Sequence, residues 1–205
     1  MCRTLTILAC LLGLTALVMA GPTRAEELRK IALQTPLILT DADGKTVSTE
    51  KYRGKFLLIY FGYTSCADLC PTGLSIMSEA LSELGPAADY VQPIFVTVDP
   101  ERDRGEILRS FPAAFDKRMI GLGGSEAQIA TVASALGVAY KKIAQGISGE
   151  YEIAHSAEYI LIDRDGAKGS AMAAAAPYEI DVAIVARLKA AGIDLSHNSS
   201  VTGFR

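Results

Sequence analysis

Cys66 and Cys70 are the residues whose types and spacing offer chemistry most directly. The other two cysteines of the chain, Cys2 and Cys10, lie in an apolar N-terminal segment and have no expected role. A run of six apolar residues, 56–61, precedes the pair, and apolar residues at helical spacing follow it. The two sulfurs are therefore predicted to lie where a buried strand turns into a helix.

Two thiols at such a turn allow three interpretations. Backbone N–H groups at the start of a helix stabilise a thiolate and lower its pKa, which favours a reactive or metal-binding cysteine. Two thiolates suit a soft metal ion, copper(I) above all and zinc less specifically, and they can also form a dithiol–disulfide couple. The third interpretation is a structural disulfide or a pair of inert buried thiols. Because closing so short a loop stabilises a protein little, the position favours a functional pair.

Histidine is the most natural third ligand for such a metal, and the chain has two, His155 and His197. His155 stands at the start of the strongest late strand, predicted over 156–162. His197 lies in the polar tail and is expected to be solvated. A lone histidine is often a satisfied surface or core residue, so these residues alone leave the role of His155 open.

Acidic residues lie close to the cysteines in sequence or in the expected fold. Asp68, between the cysteines, is expected to cap the helix or to face a partner protein. Asp103 and Glu106 form a predicted cap for a later helix. Asp99 ends a second apolar strand, and if the two strands are neighbours it lies near the sulfurs. Docking of a partner or tuning of the site is then an alternative role for these acids.

The N-terminal segment, residues 1–25, indicates export. Arg3 precedes a stretch of 16 apolar or small residues, and small-residue cleavage patterns end at Ala20 and Ala25. The apolar run is short for a bilayer span, so a cleaved signal peptide is preferred over a retained anchor. Export places the cysteine pair in an oxidising compartment, where it can form a disulfide.

The composition predicts one domain over 26–195, followed by a flexible tail over 196–205. The chain has 205 residues, half of them apolar, and a net charge of −3. The segment 1–25 carries two arginines and no acid, which leaves −5 on the rest. This charge, with no cluster of Lys and Arg, argues against nucleic acid as a partner.

The elements around the cysteines predict an α/β fold with a mixed central sheet flanked by helices and an N-terminal hairpin. Ligands in such folds collect at the carboxyl ends of central strands, where Cys66 and Asp99 both fall. The predicted order is a connecting segment (26–35), a hairpin (36–40 and 45–48), a strand (56–61), a helix (71–84), a strand (91–98), a helix around 107–111, a strand (119–122), a helix that begins with a capping box at Ser125 and Gln128 and ends at Gly137, strands at 140–144 and 156–162, and a helix (180–191).

Three separated stretches resemble the motifs of the Sco/SenC family of copper-binding assembly factors. They are YFGYTSCADLCP at 60–71, TVDPERD at 97–103 and the pair His155-Ser156, in the family's order. The resemblance runs from the hairpin to the last helix. Ala67 replaces a proline that the family commonly has, and Ser65 stands where His or Thr-like residues are frequent. Neither departure touches a ligand position.

The resemblance implies a thioredoxin-like fold and a copper ion bound by Cys66, Cys70 and His155. It implies a periplasmic copper metallochaperone or thiol-redox factor for the copper centre of cytochrome c oxidase. Such a role is more that of a carrier than of a turnover enzyme, and thiol-disulfide reductase activity stays open. The expected partner is the copper-centre subunit of that oxidase, with other periplasmic copper carriers or thioredoxin-like reductants as further candidates. Because many members are membrane-anchored, an inner-membrane anchor over 1–25 stays open.

A metal-free thiol-disulfide reductase or a peroxiredoxin-like enzyme is the main alternative. A threonine close to the cysteine, here Thr64 before Cys66, is similar to the arrangement in the peroxidatic loop of peroxiredoxins. The proline that such loops carry upstream is absent. Thioredoxins have a proline in the loop that faces the cysteines, and His155 stands there instead. A ligand in that place favours metal binding over disulfide exchange. A binding module with an inert disulfide is the third interpretation.

Overall fold

A computed structural model describes residues 29–33, 35–145, 150–173, 175–193 and 195 of the chain. The predicted leader (1–25), the predicted tail (196–205) and His197 lie outside these ranges. Within them, no helix is both long and apolar enough to cross a bilayer. The helices and strands of the described ranges are β1 (Arg29–Ala32), β2 (Ile38–Asp41), β3 (Thr46–Ser48), β4 (Phe56–Gly62), α1 (Leu69–Glu83), β5 (Val91–Thr97), α2 (Glu106–Ala113), β6 (Ile120–Gly123), α3 (Glu126–Leu136), β7 (Tyr140–Gln145), β8 (Glu150–His155), β9 (Tyr159–Ile162), β10 (Lys168–Met172) and α4 (Pro177–Ala190).

Eight of these strands form one mixed sheet in the order β1-β10-β9-β4-β5-β6-β2-β3. The central strand β4 pairs parallel with β5 and antiparallel with β9, and β5 pairs parallel with β6. The hairpin of β2 and β3 joins one edge through β6. The predicted mixed sheet and N-terminal hairpin are therefore confirmed, and so is the expectation that the two apolar strands are neighbours.

Strand β4 is buried along its whole length, which is why its sequence shows no polar alternation. Successive side chains point to opposite faces of the sheet and enter two separate cores. Helices α1 and α4 pack on one face, and α3 packs on the other. The first face receives Phe56, Leu58 and Tyr60 from β4, and the second receives Leu57, Ile59 and Phe61. This covering holds the end of β4, and the loop after it, in a defined place.

Strands β7 and β8 form a second, two-stranded sheet, with Tyr140 opposite His155. The prediction that His155 begins a strand over 156–162 is wrong, because it ends β8, a strand that was not predicted. In β8 the charged Glu150 and Glu152 are exposed and alternate with Tyr151 and Ile153, which are less exposed. This period-two pattern is typical of a half-buried strand.

The expectation of a connecting segment over 26–35 is also wrong, because β1 lies within it and pairs with β10. Strand β10 was not predicted either. The residues Gly169, Ser170 and Ala171 have little intrinsic preference for strands. Both strands exist because their backbones pair with each other, and β10 also pairs with β9. Such pairing between distant parts of the chain leaves no local pattern.

The start of α3 agrees with its prediction. Ser125 accepts a hydrogen bond from the Gln128 backbone N–H, and the Gln128 side chain accepts one from the Ser125 N–H. Gly137 ends the helix with a φ of +67°, a conformation that glycine adopts without strain. Local sequence is sufficient here because all the partners lie within one turn.

Candidate metal centre

The cysteine segment follows β4 at the carboxyl end of the strand, where the start of α1 comes very close to the sheet. A Cβ atom on Gly62 would lie 2.9 Å from Cys70 Sγ and 2.9 Å from a ring carbon of Phe95. Glycine at position 62 therefore allows Cys70 to lie against the end of the strand. Cys70 is completely buried there, in the first turn of α1.

Cys66 lies half-buried in the loop before α1, and its sulfur accepts a hydrogen bond at the start of the helix. The backbone N–H of Cys70 donates a hydrogen bond to Cys66 Sγ at 3.4 Å. The prediction that the Asp68 carboxylate caps this helix is wrong, because that side chain makes no capping hydrogen bond. The sulfur takes an N–H group that a carboxylate would otherwise bind. The helix also begins at Leu69, two residues before the predicted start at Pro71.

The two thiols have opposite electrostatic environments, and both are free in this structure. Burial opposes ionisation of Cys66. Hydrogen bonds from the Cys70 thiol and from the backbone N–H groups of residues 68–70 outweigh this and lower the pKa of Cys66. Burial raises the pKa of Cys70 far above its ordinary value, with further contributions from the charges of Cys66 and Asp103. Cys66 is thus the thiol of the pair that ionises more readily, and Cys70 holds its proton more strongly.

His155 reaches the same place from the other sheet. Its Nε2 atom lies 3.4 Å from Cys70 Sγ, and its Nδ1 atom lies 3.0 Å from the carbonyl oxygen of Ser156. Because a carbonyl only accepts hydrogen bonds, the ring proton belongs on Nδ1. The lone pair of Nε2 then faces the sulfur. The rings of Tyr60 and Tyr63 stand edge-on to the imidazole, with centroids 6.3 and 6.1 Å away.

The structure thus brings the three predicted site residues together through two pairwise contacts, Cys66 with Cys70 and Cys70 with His155. In the described part of the chain, no group of three or more His, Cys, Asp or Glu side chains is already arranged to hold a metal ion. A metal ion bound at about 2.3 Å from sulfur and about 2.0 Å from nitrogen, with tetrahedral angles, holds these atoms roughly 3.5 Å apart. The observed 3.4 Å fits this spacing. Two sulfurs and one imidazole suit copper(I), and the side chains must adjust to close around it.

Asp103 supports the cysteine segment and not, as predicted, the start of α2. Gly105 occupies the capping position of that helix, which has no side-chain cap. The buried carboxylate of Asp103 instead accepts hydrogen bonds from the Thr64 N–H at 2.8 Å, the Thr64 hydroxyl at 2.5 Å and the Thr97 hydroxyl at 2.6 Å. A buried carboxylate needs such donors, and these two threonines supply them. The loop before Cys66 is thereby tied to the end of β5.

Asp99 is also fully buried, and its carboxylate contacts one residue of its own loop and one residue of β8. It forms an ion pair with Arg102 and accepts a hydrogen bond from the Tyr151 hydroxyl at 2.8 Å. Of the two roles expected for Asp99 and Asp103, the structural one therefore agrees with their burial. Tyr151 was missed by the sequence reasoning. The alternation of charged and apolar residues over 150–155 is the pattern that identifies it as inward-facing.

Comparison with known proteins gives consistent matches over the described domain. The sequence profile described as SCO1/SenC matches residues 25–190. The SCO2-like protein RP587 of Rickettsia prowazekii is 37% identical over 138 residues, which are 67% of each chain. The mitochondrial SCO2 homolog of Homo sapiens is 35% identical over 146 residues, 70% of this chain but only 55% of the human protein.

A solved structure shows the same architecture. The structure of ScoI from Bradyrhizobium japonicum, determined with copper bound, superposes with a TM-score of 0.68 and 39% identity, covering 77% of this chain and 99% of that one. The fold is therefore thioredoxin-like, as the resemblance implied. The profile match extends from the end of the predicted leader to the end of α4 and includes both cysteines and His155. This chain belongs to the SCO1/SenC family.

Proposed function

We propose that this protein is a copper carrier whose ligands are Cys66, Cys70 and His155. The observation that carries the proposal is the Nε2 lone pair of His155 facing the buried Cys70 sulfur at 3.4 Å, beside a cysteine of lowered pKa. The copper-bound ScoI relative supports the choice of metal. Copper is cargo in this role, and the protein is not a turnover enzyme.

The two thiols divide the work of binding. Cys66 is exposed enough to meet an incoming ion, and its lowered pKa makes it the cysteine that gives up its proton more readily. Cys70 releases its proton when the metal takes its place, and the metal's positive charge offsets the cost of a buried thiolate. His155 offers Nε2 to the metal, since its Nδ1–H donates a hydrogen bond to the Ser156 carbonyl. Binding to the reduced protein therefore releases protons.

The same asymmetry supports a second activity, reduction of a disulfide in a target protein. The Cys66 thiolate attacks one sulfur of the target, the target's disulfide breaks, and a mixed disulfide forms. Cys70 then loses its proton and attacks the Cys66 sulfur, which releases the target as a dithiol. Two electrons pass to the target, and Cys66 and Cys70 end as a disulfide.

We place both activities in assembly of the copper centre of cytochrome c oxidase, in the periplasm. The family membership and the apolar leader over 1–25 support this setting. The partner is the copper-centre subunit of the oxidase. Other periplasmic copper carriers or thioredoxin-like reductants are further partners of this protein. The leader is either a signal peptide or an anchor to the inner membrane.

The ligand assignment is tested by titrating the reduced protein with Cu(I) in competition with a chelator. We expect a single copper ion per chain in the wild type. Cys66→Ser, Cys70→Ser and His155→Ala should each lose more than about 100-fold in affinity, beyond what loss of a supporting residue costs. His197→Ala, a change at the other histidine, is the control and should bind as the wild type does. Unchanged affinity in any of the three ligand variants would overturn that ligand's assignment.

Carrier and reductant roles are separated in a strain that lacks the gene. Oxidase activity is measured after complementation with the wild type or with each ligand variant, with and without added copper. Rescue of the deletion by copper alone supports the carrier role. Rescue by a membrane-permeable thiol reductant, and not by copper, supports the reductant role.

A further inference from the structure

The loop over 98–104, between β5 and α2, contacts both segments that carry the proposed ligands. We propose that Asp99, Arg102 and Tyr151, here called the clamp, are positioning residues that hold His155 against Cys70. This inference rests on the proposed copper site and adds the residues that set its geometry.

The hairpin that carries His155 needs such support because it is not part of the main sheet. Among the described strands, its two strands pair only with each other, and a two-stranded sheet by itself is marginally stable in water. Tyr151, Ile153 and His155 alternate along β8 and therefore share one face. Ile153 is buried in the core, and Tyr151 packs against that core while only partly buried. At the Tyr151 end of this face, polar contacts add to the packing.

Tyr151 supplies those contacts four residues before His155. Its hydroxyl donates to Asp99 at 2.8 Å, and the Arg102 guanidinium lies 4.0 Å from its ring centroid. Arg102 Nη1 also donates to the Tyr151 backbone carbonyl at 3.3 Å. The ring, hydroxyl and backbone of one residue of β8 are thus all bound by the loop between β5 and α2.

Burial of the Asp99 carboxylate limits the positions that the hairpin can take. Its carboxylate is completely buried, and a buried charge left without partners is costly. In the described structure its side chain has two partners, Arg102 and Tyr151. Asp99 therefore favours the docked position of the hairpin over alternatives in which Tyr151 moves away.

Four residues after Asp99, Asp103 binds Thr64 and so holds the loop before Cys66. The backbone N–H of Asp103 donates to the Asp99 carbonyl at 2.9 Å, which makes the loop one compact turn. A single turn therefore sets the positions of the cysteine segment and of the histidine hairpin. The clamp has no contact with copper in this scheme and acts only through the placement of His155.

The test is a double-mutant cycle for Cu(I) affinity. Tyr151→Phe removes only the hydroxyl, and Asp99→Asn keeps the shape of the carboxylate but removes its charge. Tyr178→Phe, at an exposed tyrosine on α4, makes the same chemical change away from the site and is the matched control. Each substitution is measured in the wild type and in a His155→Ala background, by competition with a chelator.

We expect Tyr151→Phe and Asp99→Asn each to weaken Cu(I) binding roughly tenfold in the wild type, the usual effect of a residue that supports a ligand. Neither should weaken it in the His155→Ala background, because the clamp acts only through that histidine. Tyr178→Phe should have no effect in either. An equal loss in both backgrounds, or no loss in the wild type, overturns the proposal.

A metal-free measurement separates this inference from the copper role itself. In the reduced apoprotein, NMR signals of the His155 imidazole should shift and broaden in Tyr151→Phe and in Asp99→Asn, while Tyr178→Phe leaves them unchanged. Unchanged His155 signals in the two clamp variants would contradict the clamp even if copper binds. If the wild type binds no copper, the proposed function fails, and the imidazole signals still decide whether the clamp positions His155.

Discussion

The cysteine segment and the histidine hairpin meet at one site but are built in opposite ways. The cysteines follow β4, which pairs with strands on both sides and is covered on both faces. His155 ends a two-stranded sheet whose first strand, β7, is exposed along most of its length. One half of the site is part of the core, and the other half is docked on it.

This difference indicates how the site works. Regions with few buried apolar contacts open locally at low free energy, whereas core strands open only with global unfolding. The buried sulfur of Cys70 is therefore expected to stay in place, and the hairpin that carries His155 is the part of the site expected to open first. In the proposed carrier role, local opening of this hairpin would release the ion without disturbing the core.

The largest expected effect tests the core half of the comparison. Leu58→Ala in β4 removes a fully buried side chain and should lower the free energy of unfolding by about 2–5 kcal/mol. Ile143→Ala in β7 removes a side chain that is 45% exposed and should change it by no more than about 0.5 kcal/mol. Urea denaturation with matched m-values measures both. Equal losses would contradict the distinction between the two halves.

Ile153→Ala tests the docked half, because Ile153 is the buried apolar residue of β8 and is 3% exposed. We expect a loss of about 2 kcal/mol or more in the stability of the hairpin, the low end for removing a buried side chain. Hydrogen exchange should accelerate in β7 and β8 and stay unchanged in β4 and β5. Acceleration throughout the main sheet would show that the two sheets open together.

The two cysteines should differ in reactivity. In the reduced native protein, Cys66 should be alkylated by iodoacetamide about tenfold faster than Cys70 or more, since one pKa unit changes the thiolate fraction tenfold. Because the pKa of Cys66 is lowered, its alkylation rate should begin to fall at a lower pH than the alkylation rate of an ordinary thiol does. Mass spectrometry of timed digests measures both rates, and alkylation in denaturant, where the rates should converge, is the control. Faster modification of Cys70 in the native state would reverse the assigned roles.

The smallest expected effect concerns the start of α1 in the cysteine segment. Asp68→Ala should change the free energy of unfolding by no more than about 0.5 kcal/mol, because this carboxylate makes no capping bond. Ser125→Ala, at the capped start of α3, should cost about 1 kcal/mol. Thermal unfolding of the two variants compares them directly. A larger loss for Asp68→Ala would restore the carboxylate as the cap.

Local patterns were sufficient wherever the partners are close in sequence. The apolar run over 56–61 and the helical spacing after it correctly placed Cys66 and Cys70 at a strand-to-helix turn. The capping box of Ser125 and Gln128 was predicted in full, because its hydrogen bonds span three residues. The resemblance of three motifs added the family, which the profile match confirms.

Predictions failed where a partner comes from a distant part of the chain. Asp103 occupies a position from which a local cap is possible, and there a tertiary contact prevailed. The cap expected at Asp68 failed for a local reason, since Cys66 lies only four residues from the N–H group that its sulfur takes. Cys66 Sγ takes an N–H at the start of α1, and Thr64 and Thr97 supply the donors that a buried Asp103 needs. The pairing of β1 with β10 likewise has no local signal.

The sequence by itself determined the chemistry available to this protein, because residue types and short-range periodicity are local properties. That chemistry consists of two thiols at the start of a helix and a histidine, His155, in a motif that follows the other two in order. Only the tertiary structure decided which thiol ionises more readily, since burial and hydrogen bonding of each sulfur depend on the packing around the end of β4. It also decided that His155 faces Cys70 from a separate hairpin. That placement depends on side chains far apart in sequence, whose contacts form only when the chain is folded.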